Sequence, residues 1–166
     1  IAIYGGYGNK IENNLIYDTM NYPGIMLATD HDPLPFTGTT TIANNALYRC
    51  GGVFWGEAQE FGAITLFPSN LPITGVTIRD TDIYDSTYDG IQFKTGGGEM
   101  PNVALTNIHI DKSNNGSGIL GGYATFAKND WAVNDGSGNI TALTSYGGST
   151  FATNTNTTLS ASAQPP

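Results

Sequence analysis

Charged side chains are scarce in this 166-residue chain, where Asp, Glu, Lys and Arg make up 12%, against about 25% in average proteins. Only six residues are Lys or Arg, and the net charge is −8. Nucleic-acid binding needs a basic stripe that neutralises phosphates, so the composition excludes a nucleic-acid partner. The negative charge also disfavours anionic membranes and uronic-acid polymers, and therefore favours a neutral substrate or surface.

Cysteine and long apolar runs are scarce as well. Cys50 is the only cysteine, so it cannot form an internal disulfide and is expected to be a small buried apolar residue. No run of about 18 apolar residues is present, so no membrane-spanning segment is expected. Abundant Gly, together with Asn- and Thr-rich loops, predicts an extracellular all-β protein. The chain starts with Ile inside a recurring pattern, and we expect a monomeric piece of a larger, processed multidomain protein.

Short internal repeats account for the apolar residues. Each of four segments begins with an aliphatic residue, carries Asn or Asp two positions later, and has another aliphatic residue near its end. They are IENNLIYD from Ile11, IANNALYR from Ile42, IRDTDIYD from Ile78 and LTNIHIDK from Leu105. A second strand follows each one, starting at Gly24, Gly62, Gly90 and Gly118, and IAIYG at the N-terminus has the same pattern. Apolar and other residues roughly alternate along these strands, which is the period of a half-buried strand.

Repeats of this length predict a right-handed parallel β-helix, the solenoid of the pectate lyases, over residues 1–150. A β-propeller blade would need about 40 residues in four antiparallel strands. The Thr-, Asn- and Ser-rich residues 151–166 are expected to form a capping extension or linker. The predicted inward-facing stack includes Ile11, Ile25, Leu27, Ile42, Leu47, Ile78, Ile83, Ile91, Phe93, Leu105, Ile110 and Ile119.

One polar position recurs in the repeats. Asn13, Asn44, Asp80 and Asn107 occupy it, and we expect these side chains to stack at a bend and pass hydrogen bonds between coils. Asp18 and Asp85 recur in the sequence IYD. This recurrence favours a role in a turn over a role in chemistry.

The densest polar stretch is Asp30-His31-Asp32, which follows a strand and precedes Pro33. One interpretation is a polar loop held by Asx turns, and another is a sugar-binding edge of a cleft. Asp30 and Asp32 could also form a fallback acid/base pair, although neighbouring side chains on an extended segment point apart. A transition-metal site is disfavoured because His109 is the only other histidine. No cofactor is predicted, but the sequence leaves calcium bound by Asp and carbonyl oxygens open.

Four stretches together resemble the catalytic domain of bacterial α-1,3-glucanases and mycodextranases, which form glycoside hydrolase family 87. They are IAIYGGYGNKIENNLIYDT, GIMLATDH, ALYRCGG and DIYDSTYDGIQF, and the resemblance spans roughly residues 1–120. It implies secreted, inverting hydrolysis of α-1,3-glucan by aspartates on one face of the helix. The family signature contains an adjacent Asp-Asp followed by Gly, and this chain has no Asp-Asp. The resemblance therefore implies that the catalytic aspartates lie before Ile1 and that this chain alone is inactive.

The same resemblance suggests which residues line the cleft. The family's Asp pair precedes a strand glycine, and the corresponding pairs here contain Glu60 and Asp89. Tyr4, Met26 and Gln92 occupy outward strand positions. The insertion at residues 51–61 could wall a cleft with Trp55 and Glu57, or Phe54 and Trp55 could merely pack on the flank. The predicted substrate-binding residues are Tyr4, Asp30, His31, Trp55, Glu57, Glu60, Asp89 and Gln92.

The expected function is therefore to supply the cleft wall and downstream coils of an α-1,3-glucan hydrolase. A first alternative is a non-catalytic carbohydrate-binding or structural β-helix module. A second is a polysaccharide lyase, which the unclustered basic residues disfavour, because lyases on uronates use Lys or Arg to neutralise the substrate carboxylate.

Overall fold

The computed structural model describes residues 1–19, 21–31, 34–54, 59–94, 98–112, 131–134, 136–143 and 160–163. Within these ranges the regular structure consists of β-strands, with turns between them and no helix. The strands are β1 (Ala2–Ile3), β2 (Gly6–Tyr7), β3 (Lys10–Glu12), β4 (Leu15–Tyr17), β5 (Ile25–Ala28), β6 (Phe36–Thr37), β7 (Thr40–Ala43), β8 (Ala46–Tyr48), β9 (Gly52–Phe54), β10 (Gln59–Phe61), β11 (Ile64–Phe67), β12 (Val76–Tyr84), β13 (Ile91–Phe93), β14 (Val103–Asp111), β15 (Trp131–Asn134), β16 (Gly136–Leu143) and β17 (Ser160–Ala163).

Most strands belong to two sheets. The first sheet has the order β1-β5-β11-β13-β15-β17, and its first four strands are parallel. In the second sheet, β3, β7, β12 and β14 are parallel neighbours in that order. Strands β4 and β8 are parallel to each other, and β8 also pairs with β12. Strand β16 is antiparallel to β14. The expectation of an all-β protein with parallel strands is thus confirmed for the described residues.

The register of the second sheet sets Ile11 beside Ile42, Ile42 beside Ile78, and Ile78 beside Leu105. The same residues begin the four segments aligned from the sequence. Each is an aliphatic residue at an inward position, and all are buried. A shift of one residue would turn each aliphatic side chain to the opposite face, so burial strongly specifies this register.

Among the described residues, a large apolar cluster joins the two sheets. Eleven of the twelve predicted inward-facing residues belong to it, and Ile119 lies outside the described residues. Cys50 belongs to the cluster as predicted, and burial raises the pKa of its thiol. Both observations agree with a packing role for this cysteine.

In the first sheet the predicted alignment of the strand glycines is wrong by one residue. Ile64 pairs with both Ile25 and Ile91, so Ala63, not Gly62, corresponds to Gly24 and Gly90. A Cβ atom on Gly62 would lie 2.9 Å from the carbonyl oxygen of Asp89, so this glycine is required by close approach of the next strand. The correction moves Glu60 away from the position assigned to it, whereas Asp89 keeps its place directly before Gly90.

The recurring Asn/Asp position forms a bend, but its side chains are not buried. Asn13, Asn44, Asp80 and Asn107 all have left-handed backbone, with φ between 49° and 60°, and their side chains are exposed. Asn107 Nδ2 donates to Asp80 Oδ1 over 2.8 Å, which is one of the expected links between neighbouring strands. A second left-handed column comprises Asp18, Arg49, Asp85 and Lys112, which agrees with a turn role for the IYD aspartates.

The predicted boundary at residue 150 falls outside the described residues. Within the predicted extension, Ser160–Ala163 form β17, which pairs antiparallel with β15. The remainder of that extension also lies outside the described residues.

Candidate functional site

A concave pocket of about 250 Å³ lies at the β1 edge of the first sheet. Ala2 and Met26 are paired neighbours on the sheet face turned away from the apolar cluster, because the alternate residues Ile3 and Leu27 pack in it. The pocket is lined by Ile1, Ala2, Tyr4, Tyr22, Pro23 and Met26. Its volume is just below the usual range for small-molecule sites, which suits one ring-sized group.

Aromatic rings form the walls of this pocket. Tyr22 stacks on Phe61 with ring centroids 6.1 Å apart and planes inclined by 23°. Tyr4 lies against His31 at 6.4 Å and 56°. Tyr4 and Tyr22 are 38% and 47% exposed, whereas Phe61 is buried beneath Tyr22. The two tyrosines can therefore offer apolar surface and a hydroxyl group to the same ligand.

The electrostatics favour a neutral, hydrogen-bonding ligand. Partial burial, followed by the nearby carboxylate of Asp30 and by Tyr22, raises the pKa of Tyr4. A tyrosine hydroxyl has an ordinary pKa of about 10 and is protonated near neutral pH, so Tyr4 can donate a hydrogen bond. Asp30 and His31 are exposed beside it, and the Asp30 carboxylate can accept hydrogen bonds from ligand hydroxyls.

The hairpin of β9 and β10 brings Phe61 to the pocket. Phe61 pairs with Gly52 at the base of this antiparallel hairpin. The buried Lys94 fixes its position, because Lys94 Nζ donates to the Glu60 carbonyl oxygen over 3.2 Å and lies 4.6 Å from the Phe61 ring centroid. A cation over an aromatic face is attracted by the ring quadrupole, so Lys94 holds the hairpin against the sheet.

Gln92 occupies an outward strand position as predicted, but the hairpin covers it. Its Oε1 accepts from the Gly62 backbone amide at 3.1 Å and from the Thr65 hydroxyl at 3.3 Å. Its Nε2 donates to the Glu60 carbonyl oxygen at 3.3 Å. Gln92 thus ties the hairpin to the sheet, and Glu60 and Asp89 are buried in the same region.

Three of the predicted substrate-binding residues therefore meet at the pocket edge: Tyr4, Asp30 and His31. Glu60 is a buried residue of the hairpin strand β10, Gln92 is buried beneath the hairpin, and Asp89 is buried directly before Gly90. Trp55, Glu57 and Asp32 lie outside the described residues. Tyr22 and its support Phe61 were not predicted as site residues, although aromatic residues three positions before β5 and β11 are the signal that could have revealed them.

Metal ligands are not clustered in the described ranges, where no group of three or more His, Cys, Asp or Glu residues could hold an ion. In the same part of the chain, no helix has the length and apolar character needed to cross a bilayer.

An aromatic pocket with a hydroxyl donor and a carboxylate, on the outer face of a parallel sheet, suits a neutral polyhydroxylated ring. The family model described as alpha-1,3-glucanase catalytic domain D2 matches residues 1–158. The chain belongs to this family, which supports a glycoside hydrolase module with a polysaccharide substrate, α-1,3-glucan. No curated protein and no solved structure matches the chain.

Proposed function

We propose that this domain supplies the substrate-binding wall of a secreted, inverting α-1,3-glucan hydrolase of glycoside hydrolase family 87. The observation that carries the proposal is the pocket formed by Tyr4, Tyr22 and Met26 in a chain that belongs to the α-1,3-glucanase family. Secretion agrees with the low charge of the chain and with an insoluble polymeric substrate, which an enzyme must meet outside the cell.

The proposed architecture is a right-handed parallel β-helix. Two sheets in which successive parallel strands pair in chain order, and two columns of left-handed residues between strands, support one coil per repeat. Crossovers between parallel strands of one sheet are right-handed in about 98% of cases, which supports the handedness. In such a solenoid, outward positions of successive coils form a continuous surface for a polymer.

In the proposed binding mode, one glucose ring lies on the exposed face of Tyr22. The ring's axial hydrogens contact the aromatic surface, and the Met26 side chain closes the pocket floor. The Tyr4 hydroxyl donates to a sugar oxygen, while Asp30 accepts from a sugar hydroxyl. These contacts orient the glucan without requiring a charged substrate.

The proposal places the acid and base of hydrolysis outside the described residues. Inversion needs two carboxyl groups about 6.5–9.5 Å apart on opposite sides of the scissile bond. At the pocket only Asp30 is an exposed carboxylate among the described residues, because Glu60 and Asp89 are buried. We therefore assign Asp30 to substrate binding.

Calorimetric titration with an α-1,3-linked gluco-oligosaccharide tests the binding proposal. Tyr22→Ala is expected to weaken the affinity about five- to tenfold, because the stacking surface is lost. Tyr7→Ala is the matched control, since Tyr7 is 82% exposed and does not line the pocket. Unchanged affinity in a folded Tyr22→Ala variant would show that the pocket does not bind the oligosaccharide.

The catalytic assignment has a separate test, which also addresses a non-catalytic module as the alternative. The purified chain is expected to release no reducing sugar from insoluble α-1,3-glucan, because a placed acid and base are both required. An Asp30→Asn, Asp32→Asn variant is measured in parallel. Turnover that this variant abolishes would make the Asp30-His31-Asp32 loop the active site.

A further inference from the structure

A row of tyrosines, two exposed and one half-buried, crosses the second sheet on the face turned away from the core. Strands β4, β8, the end of β12 and the end of β14 lie side by side there, and their register pairs Tyr17 with Tyr48 and Tyr48 with Tyr84. These three residues are called the tyrosine row. A parallel row is formed by Leu15, Ala46, Asp82 and His109.

Two rings of the tyrosine row contact each other, and His109 contacts one of them. Tyr48 and Tyr84 stack with centroids 5.0 Å apart and planes inclined by 18°. His109 meets Tyr84 edge-on at 5.3 Å and 78°. Stacking covers one face of each ring, and Tyr48 remains 37% exposed. Tyr17 is 61% exposed and offers free ring surface at one end.

The chemistry of this face suits a neutral, hydroxyl-rich ligand. Burial, followed by the Asp82 carboxylate, raises the pKa of Tyr84, so its hydroxyl remains a hydrogen-bond donor at neutral pH. Asp82, and Asp111 beside Tyr84 in the register, supply acceptors. Neither row contains Lys or Arg. Arg49, which follows Tyr48, pairs with the Asp18 carboxylate, so its charge is offset.

The spacing of the row suits a polymer. Neighbouring strands are about 4.8 Å apart, and the stacked Tyr48 and Tyr84 rings have nearly the same separation. The row therefore carries one tyrosine hydroxyl per strand. A glucan chain offers hydroxyl groups at a comparable interval, one sugar residue after another. Leu15, which is 65% exposed beside Tyr17, adds apolar surface for the hydrocarbon faces of the sugar rings.

We propose that the tyrosine row is a second carbohydrate-binding surface, separate from the pocket, which holds the domain on insoluble α-1,3-glucan. The pocket lies on the first sheet and the row on the second, with the apolar cluster between them. The proposal rests on the glucan substrate of the family and not on the pocket. Binding at the row and binding at the pocket can therefore be disproved separately.

Adsorption of the 166-residue chain to insoluble α-1,3-glucan tests whether the tyrosine row binds the polymer. A Tyr48→Phe, Tyr84→Phe variant keeps the stacked rings and removes two hydroxyl groups. Its partition coefficient onto the glucan is expected to fall about fivefold, with an unchanged melting temperature, because each hydrogen bond makes only a modest net contribution. Tyr17→Ala, which removes the most exposed ring, should lower adsorption independently, and Tyr7→Phe is the control for an exposed hydroxyl elsewhere.

Three results would overturn the proposal. Unchanged adsorption of both variants would show that the row only packs on the sheet surface and does not bind glucan. Adsorption lost in Tyr22→Ala but kept in the row variants would assign all binding to the pocket. A wild-type dimer in sedimentation velocity that Tyr17→Ala converts to monomer would assign the row to protein association. Lower adsorption together with unchanged oligosaccharide affinity at the pocket is the supporting result.

Discussion

At the scale of single residues, two neighbouring asparagines in the second sheet play different roles. Asn44 has a φ of 53° and an exposed side chain, so it is selected by backbone conformation. Asn45 is 2% exposed. Its Nδ2 donates to the Ile11 carbonyl oxygen over 2.9 Å, and its Oδ1 accepts from the Asn14 amide nitrogen over 3.0 Å. The hydrogen-bonded link between strands at this bend therefore depends on Asn45.

Substitution of these two asparagines should change the free energy of unfolding by different amounts. Asn45→Ala leaves buried backbone groups unpaired and is expected to lower the free energy of unfolding by about 1–3 kcal/mol. Asn44→Gly should stay within about 0.5 kcal/mol of wild type or stabilise the fold, because glycine adopts left-handed backbone without strain. Urea denaturation measures both. An equal loss in the two variants would contradict this division of roles.

At the scale of elements, the β9–β10 hairpin decides what the first sheet can bind. It covers Gln92 and places Phe61 under Tyr22. Lys94, which is 4% exposed, reaches the hairpin backbone and lies over Phe61 and also 5.5 Å from the Phe67 ring centroid. The hairpin thus supports the pocket from beneath.

Lys94→Met tests this support. Met can replace the aliphatic part of Lys94 but not the charged donor to the Glu60 carbonyl oxygen, so the free energy of unfolding should fall by about 1–3 kcal/mol. Affinity for an α-1,3-linked oligosaccharide should fall as well, because Phe61 no longer fixes Tyr22. Lys10→Met, an exposed strand position, is the control. Wild-type stability and affinity in Lys94→Met would show that the hairpin is held by other contacts.

The hairpin also explains where prediction from the sequence failed. Alternation and repeat spacing sufficed to place Ile11, Ile42 and Ile78 in one column, because burial selects a single register. The same reasoning misplaced Gly62 by one residue, since an inserted hairpin leads directly into β11 and close packing, not a repeat position, requires that glycine. The hairpin covers Gln92 through tertiary packing, which strand periodicity cannot predict.

At the scale of the whole molecule, the two sheets separate two surfaces of similar chemistry. The pocket of Tyr4 and Tyr22 and the tyrosine row both face away from the shared apolar cluster. The sequence indicated the all-β class and the inward residues through periodicity. It located Tyr4, Asp30 and His31 near one edge, but the meeting of Tyr22 with Phe61 depends on chain segments brought together by folding.

A crystal structure of the chain with a bound α-1,3-linked glucose trisaccharide tests most directly whether the pocket holds the glucan. We expect one sugar ring on the face of Tyr22, with Met26 beneath it and the Tyr4 hydroxyl and Asp30 carboxylate within about 3.2 Å of its oxygens. A trisaccharide bound at saturating concentration elsewhere, with the pocket lined by Tyr4, Tyr22 and Met26 free of sugar, would contradict it.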